Sequence, residues 1–345
     1  MAIRLIQVGM GGWGRNWATN VVQQSEEVHL VACVDLDPDT LVQAQHLLHL
    51  PPERCFQTLG SALAAVESDA VLITATLPAH VPVALQALNS EKHVLLEKPF
   101  APTLAEAQHV VNTAAQQDRI LMISQNYRFF PAVRAVTALV REEKLGSIGS
   151  VTLDFRRYKN DAAPEAQSYF QSWQPLLVDM AIHHFDLMRL VLGQEPVQMS
   201  CHAWNPPWST FTDPAAAAAT ITFDGGAVVS YRGSWVSPGP KTCWSGEWHI
   251  ECSQGEMAWT SRDETAADHV TIRSLGKRAY QLKLPAGELT DRRGSLQAFV
   301  RAVQTGQEPE CSGRDNLHSL ALMYAAVESA TARVPVSLPT GTQVS

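Results

Sequence analysis

The 345-residue chain is longer than one ordinary hydrophobic core fills, so its length calls for two domains. A formal charge of −8, with no run rich in Lys and Arg, excludes a nucleic-acid or anionic-membrane surface as the working partner. The 46% hydrophobic content suits a globular protein, no apolar stretch is long enough to span a bilayer, and no export signal opens the chain, so a cytoplasmic place is expected.

Residues 3–8, 28–34, 70–74, 93–97 and 121–127 are short β-branched runs, and 15–24, 39–48, 60–66, 82–89 and 103–117 are helix-period runs between them. Strict alternation of the two predicts an α/β Rossmann domain, a parallel doubly wound sheet over residues 1–124. Beyond residue 125 the pattern changes to longer strands at 151–158, 217–223, 227–235 and 270–273, joined by Gly, Pro and Asn turns. Helices are expected at 131–142, 175–192, 295–305 and 315–332. The region 125–345 therefore reads as an α+β second domain, with a large open, mostly antiparallel sheet and the 315–332 helix inside it.

Cys33, Cys55, Cys201, Cys243, Cys252 and Cys311 lie far apart, with no C-x-x-C pair and no histidine at zinc-ligand spacing. They read as reduced, mostly buried thiols, and no metal site is expected.

The first strand runs into Gly9-Met10-Gly11-Gly12-Trp13-Gly14, a G-x-G-x-x-G turn that opens a helix. Gly9 permits the tight turn, Gly11 lets backbone approach a pyrophosphate, and Gly14 lets the helix pack close to the sheet. The amides that begin the helix then bind the anion. The second strand ends at Asp35, at the distance where an acidic side chain takes a ribose hydroxyl and repels a 2′-phosphate. The cofactor predicted is NAD, with NADP as the alternative.

Glu97-Lys98-Pro99 closes the strand 93–97, and Gln125-Asn126-Tyr127-Arg128-Phe129 follows the next one. Further on stand Asp179-x-x-x-His183-x-x-Asp186, Ser312-Gly313-x-Asp315 and Pro335-Val336. In this order and separation, and with the glycine turn, these blocks resemble the Gfo/Idh/MocA oxidoreductases, which include inositol, glucose and other sugar or polyol dehydrogenases. The resemblance implies an active site between the two domains, and a homodimer or homotetramer built through the second-domain sheet. It places Lys98, Asp179 and His183 in catalysis. The candidate cofactor residues are Gly9, Gly11, Gly12, Trp13, Gly14, Asp35, Thr76, His80, Glu97, Lys98 and Asn126, and the candidate substrate residues are Lys98, Arg128, Asp179 and His183, with Trp173 for its place just before the 176–192 run and Tyr158 for its place near the start of 160–174. Three places depart from the family pattern: Trp173-Gln174-Pro175 replaces a glycine triplet, Ala181 a glycine, and Ala75-Thr76 a Thr-Pro pair.

The residues support the same chemistry independently. The 176–192 run is so apolar that it must be largely buried, and on a regular helix Asp179, His183 and Asp186 form one narrow polar stripe. Such a stripe needs partners or a ligand, because unpaired buried ionisable groups are costly. His183 suits a general base, Asp179 its support, and Lys98 a group that polarises a substrate oxygen. A purely structural Asp–His–Asp network, and a Glu97/Lys98 surface pair, are the alternatives. His184 points elsewhere and is expected to serve packing.

Seven of the nine tryptophans fall in the second domain, where their faces suit either a sugar ring or core packing. The polar segment 160–174 is a candidate specificity loop, with Arg156, Arg157 and Tyr158 near its start. The leading reading is an NAD-dependent dehydrogenase or reductase of a sugar, cyclitol or sugar acid. An NAD-dependent glycoside-processing enzyme with transient oxidation and a non-enzymatic NAD-binding regulator are the competing ones.

Overall fold

The computed structural model describes residues 2–160, 167–285 and 289–339. Residues 161–166, the heart of the expected specificity loop, lie outside that description. The chain forms two compact units, Met1–Asn126 with Leu289–Leu317, and Tyr127–Glu288 with His318–Ser345.

The first unit is the doubly wound sheet expected. Strands β1 (Ile3–Val8), β2 (Val28–Val34), β3 (Cys55–Phe56), β4 (Ala70–Ile73), β5 (His93–Leu96) and β6 (Leu121–Ile123) lie in the order β3-β2-β1-β4-β5-β6, all parallel. Helices α1 (Gly12–Asn20), α2 (Pro38–Leu48), α3 (Leu59–Ala65), α4 (Leu77–Asn89) and α5 (Leu104–Gln116) connect them. The order reverses between β1 and β4, and in open sheets of this kind ligands bind in the crevice beyond the strand ends at such a switch point. β3, two residues long, escaped the sequence reading because so short a strand shows no period. The strand expected over 121–127 stops at Ile123, because β5 offers no partner beyond Leu96.

The segment 289–317 belongs with this first unit, whereas the sequence places it in the second. Its helix Asp291–Thr305 is tied to the Rossmann sheet by Ser295 Oγ on Ser124 Oγ at 3.1 Å, and Arg293 donates to the Asn20 carbonyl at 3.0 Å. Arg292 donates to Asn16 at 2.7 Å, and Cys311 O accepts from Ile123 N–H at 2.9 Å. These polar pairings join residues far apart in sequence, and no local pattern announces them.

The second unit is built on a nine-stranded sheet. Its strands are β7 (Ile148–Arg156), β8 (Pro196–Trp204), β9 (Ala216–Phe223), β10 (Val228–Ser234), β11 (Glu247–Cys252), β12 (Gly255–Thr260), β13 (His269–Ser274), β14 (Tyr280–Gln281) and β15 (Val336–Ser337). They lie in the order β14-β13-β12-β11-β7-β10-β9-β8-β15. Every pairing is antiparallel except β7 with β10, which run parallel at the centre. Alternate residues such as Leu153, Phe155, Tyr231, Trp248 and Trp259 are buried, as a half-covered sheet requires. The helices are α6 (Pro131–Arg141), the short α7 (Gln167–Phe170) and α8 (Ile182–Leu192). Every residue of α8 is buried, with Phe185 against Tyr231 and His184 against Phe155. A long helix, Gly313–Ala332, crosses from the first unit's residues into the second's.

Among the described residues no helix is long and apolar enough to cross a membrane. All six cysteines are free thiols.

Candidate functional site

The glycine turn is shaped by what a side chain would strike. A Cβ on Gly9, whose φ is +90°, would lie 2.4 Å from Ala75 N, and one on Gly14 only 1.8 Å from Gly9 O. Both positions are closed to anything larger by the chain's own backbone. Gly11 and Gly12, by contrast, face nothing within 4 Å. Helix α1 starts there with no side-chain cap and no acidic residue in its first turn, which leaves its leading amides to an outside anion. Asp35, just past β2, accepts Met10 N–H at 2.6 Å and Asp37 N–H at 3.0 Å. Its carboxylate is thus fixed against the glycine turn with lone pairs left for ribose hydroxyls. Open glycine faces, free amides and a fixed acid together fit a bound dinucleotide.

One brace of this turn was not foreseen. Gln7, fully buried in β1, donates to Gly14 O at 2.8 Å and to Thr74 Oγ1 at 3.1 Å, and Thr74 Oγ1 donates to Gly9 O at 2.6 Å. The signal was available as a lone amide in an otherwise apolar strand interior.

Around the end of β5 the expected cofactor residues are largely occupied by their neighbours. Glu97 is buried and accepts Trp17 Nε1–H at 2.7 Å. Burial pushes its carboxyl above the ordinary range, while Lys98 and the Trp17 and Trp13 indoles pull the other way. His80 is buried with Nδ1 at 2.8 Å from Pro99 O and Nε2 at 3.0 Å from Ala75 O, so it bridges the loops that follow β4 and β5. Burial lowers its basicity. Asn126 donates to Asp291, Thr76 is exposed at the start of α4, and the half-exposed Trp13 ring lies under the Arg292 guanidinium at 4.4 Å. Glu97, His80 and Asn126 therefore read as supports of the turn. Lys98, half-buried beyond β5, is the charged side chain next to that support.

In the second unit the polar helix is not one regular α-helix. Pro175–Ala181 winds as a π-helix before α8 begins, and Gln174 in the left-handed conformation starts it with its N–H on Asp213 at 2.9 Å. The wider turn takes Asp179 out of the 3.6-residue phase that His183 and Asp186 keep within α8. Asp179 is half-buried and accepts the Tyr169 hydroxyl at 2.8 Å. His183 lies flat on Tyr127, with ring centroids 4.0 Å apart. Asp186 is buried in an ion pair with Arg128, at 2.6 Å to Nε and 2.5 Å to Nη2, and accepts Ser319 Oγ–H at 2.7 Å. Arg128, expected at the substrate, is thus a buried structural partner only 2% exposed. A lone sequence cannot tell these roles apart, because a buried carboxylate and a catalytic one carry the same letters.

His184 is the packing residue expected. It is fully buried between Tyr231 Oη at 3.3 Å and Trp244 O at 3.0 Å, and burial lowers its pKa to about 4. Trp173 is about half-exposed beside Tyr324, and Tyr158 is exposed just beyond β7, bridged to Val236. Arg156 is engaged by Asp154 and Glu247, and Arg157 by Glu264. Lys159 and Arg262 went unremarked in the sequence. Lys159 Nζ stands 4.9 Å over Trp235 and 5.3 Å over Tyr169, and Arg262 stands 4.4 Å over Tyr127.

Residues 3–125 match the model of an oxidoreductase family with an NAD-binding Rossmann fold, and residues 133–258 match the GFO/IDH/MocA C-terminal domain. An inositol 2-dehydrogenase of Rhizobium meliloti is 23% identical over 98% of this chain and 100% of its own. A D-apiose dehydrogenase of Paraburkholderia graminis is 26% identical over 94% of this chain and 86% of its own. Among solved structures, an oxidoreductase from Agrobacterium radiobacter in complex with NAD+, L-tartaric acid and magnesium has the same fold, with a TM-score of 0.85 at 20% identity and 98% of both chains covered. The aldose-aldose oxidoreductase from Caulobacter crescentus gives a TM-score of 0.83 at 20% identity, over 98% of this chain and 100% of its own.

Proposed function

The chain belongs to the Gfo/Idh/MocA oxidoreductases and is an NAD-binding enzyme of the sugar-dehydrogenase type, and on that premise we propose that it oxidises a secondary alcohol of a sugar, cyclitol or sugar acid. The observation that carries this reading is the pair Asp179, under the Tyr169 hydroxyl, and His183, on the Tyr127 ring, on a buried helical run. The names of the relatives and the NAD+ and L-tartaric acid of the Agrobacterium radiobacter neighbour agree with it.

In this reading His183 takes the proton of the substrate hydroxyl on its imidazole as the C–H bond of the same carbon breaks. Asp179 stabilises the charge that the imidazole gains, and Tyr169 keeps the carboxylate in place. Lys98 binds the reacting oxygen and stabilises the negative charge it develops. NAD, when bound, supplies the hydride acceptor. Gly11, Gly12 and the first amides of α1 would hold its pyrophosphate and Asp35 its adenosine ribose, which favours NAD over NADP. Association with a second copy is assigned to the open face of the nine-stranded sheet, and light scattering checks it.

The test is a panel of sugars, inositols and aldonates offered with NAD and with NADP and followed by the absorbance of the reduced cofactor. Turnover with at least one member is the expected result, and tight dinucleotide binding without turnover of any member would overturn the reading. No feature of the site favours the glycoside-processing or regulator readings.

A further inference from the structure

The second unit holds more positive charge beside Asp179 and His183 than its own ion pairs use. Three cations surround the half-buried indole of Trp244, with Arg157 at 4.1 Å, Arg262 at 5.7 Å and Lys159 at 5.8 Å from the ring centroid. Arg157 is neutralised by Glu264 at 3.0 Å, and Glu264 also takes Lys241. Among the described residues, no carboxylate pairs with the side chain of Lys159 or of Arg262. Their company is aromatic instead, Trp235 and Tyr169 for Lys159, and Tyr127, whose hydroxyl accepts from Arg262.

In a chain of formal charge −8, two half-buried like charges kept together without a counter-ion among the described residues need an explanation. They repel one another and lose hydration, and ring faces return only part of that cost. Arg262 is, moreover, fixed in an uncommon backbone state. Its φ is +59°, a strained state for a non-glycine residue, and Asp268 holds it there by accepting Arg262 N–H at 3.0 Å, Ser261 Oγ–H at 2.9 Å and Ala132 N–H at 2.9 Å.

Each cation also stands one ring away from a candidate catalytic side chain. Lys159 lies over Tyr169, which donates to Asp179, and Arg262 lies over Tyr127, which carries His183 on its face. We propose that Lys159 and Arg262 form an anion subsite and that the substrate is a sugar acid, its carboxylate held by these two cations. The half-buried indole of Trp244 between them suits the C–H face of a sugar ring. The proposal rests on the dehydrogenase reading above. A phosphorylated sugar shares the anionic chemistry, and the test separates the two.

NAD reduction is measured with pairs that differ at the charged end: gluconate against glucitol, galacturonate against galactose, and glucose 6-phosphate against glucose. An acid is expected to exceed its neutral partner by about 10-fold or more in kcat/KM, the worth of one charge-assisted hydrogen bond. Lys159→Met and Arg262→Met each remove most of that preference, and Lys159→Arg restores part of it. A wild-type preference for the neutral partner, equal losses on both partners, or a preference confined to the phosphate overturns the carboxylate subsite. Tryptophan fluorescence of the NAD-saturated protein is titrated with the same pairs. Quenching by an acid without turnover supports the subsite and overturns the dehydrogenase reading, turnover of neutral sugars with no acid bound does the reverse, and neither turnover nor quenching with any acid overturns the subsite.

Discussion

The Tyr127 ring lies face to face with the His183 imidazole, the two planes only 3° from parallel. Such a stack fixes the plane in which the imidazole can meet a hydroxyl. Replacing His183 by alanine is expected to cost about 100-fold or more in kcat under saturating NAD, and Lys98→Met a similar factor. Tyr127→Leu leaves the base present but unaligned, and its expected loss is smaller and shared between kcat and KM. Steady-state rates on a proven substrate check all three.

The glycine turn makes a prediction in which folding and binding part company. Gly12→Ala adds a methyl to open space, so it should leave the thermal midpoint within about 2 °C while weakening NAD binding by about 10-fold or more. Gly14→Ala drives a methyl into Gly9 O and should lower the midpoint itself. Calorimetry and cofactor titration of both variants check the pair.

Asp35 carries two duties, holding Met10 N–H and facing the ribose. Asp35→Ser should raise the KM for NAD by about 10-fold or more, as expected when charge-assisted hydrogen bonds worth about 1.5–3 kcal/mol are lost. The same change should narrow the NAD to NADP ratio, because the negative charge that repels a 2′-phosphate is gone. Parallel kinetics with the two cofactors measure it.

Arg128 and Asp186 form an ion pair whose side chains are 3% and 1% exposed. Arg128→Met leaves a buried carboxylate without its cation and should cost about 3–5 kcal/mol of stability in urea unfolding. Asp186→Leu on top of it should recover part of the loss. If the single variant unfolded like the wild type, with poorer binding alone, Arg128 would be a substrate contact after all.

His184 gives a pH dependence with a definite sign. Its folded pKa of about 4 lies below the ordinary value near 6.5, because burial keeps the ring neutral. Below about pH 6.5 the unfolded chain takes up a proton that the folded one refuses, so this contribution is whole above that pH and fades as the pH falls toward 4. The full span is about 3 kcal/mol. Urea melts at about pH 7.5 and pH 5 should show His184→Gln losing less stability between the two than the wild type does.

Much of this was written in local pattern. The alternation of strand and helix, the glycine turn and Asp35 follow from rules that act over a few tens of residues, and the fold obeys them. What the chain did not disclose depends on distant partners. Asp186 and Asp179 share a helix and a residue type, yet Arg128 claims one and Tyr169 the other. The π-helical start of that helix arises in an apolar run that predicts an ordinary turn. Lys159 and Arg262 sit far apart in sequence, and only the sheet brings both to Trp244.

The hydrogen bond from Ile123 N–H to Cys311 O has a consequence during synthesis. β6 is the outermost strand of its sheet on that side, and its free edge is covered by the 311–312 segment. At roughly 5–20 residues per second, a nascent chain that has just finished β6 waits on the order of ten seconds for Cys311 to be made. Throughout that interval the Rossmann sheet presents a bare edge to other nascent chains, the geometry from which strand-to-strand aggregation starts. A fragment cut at residue 126 would keep that edge bare for good, so a free-standing cofactor domain needs 289–317 supplied with it.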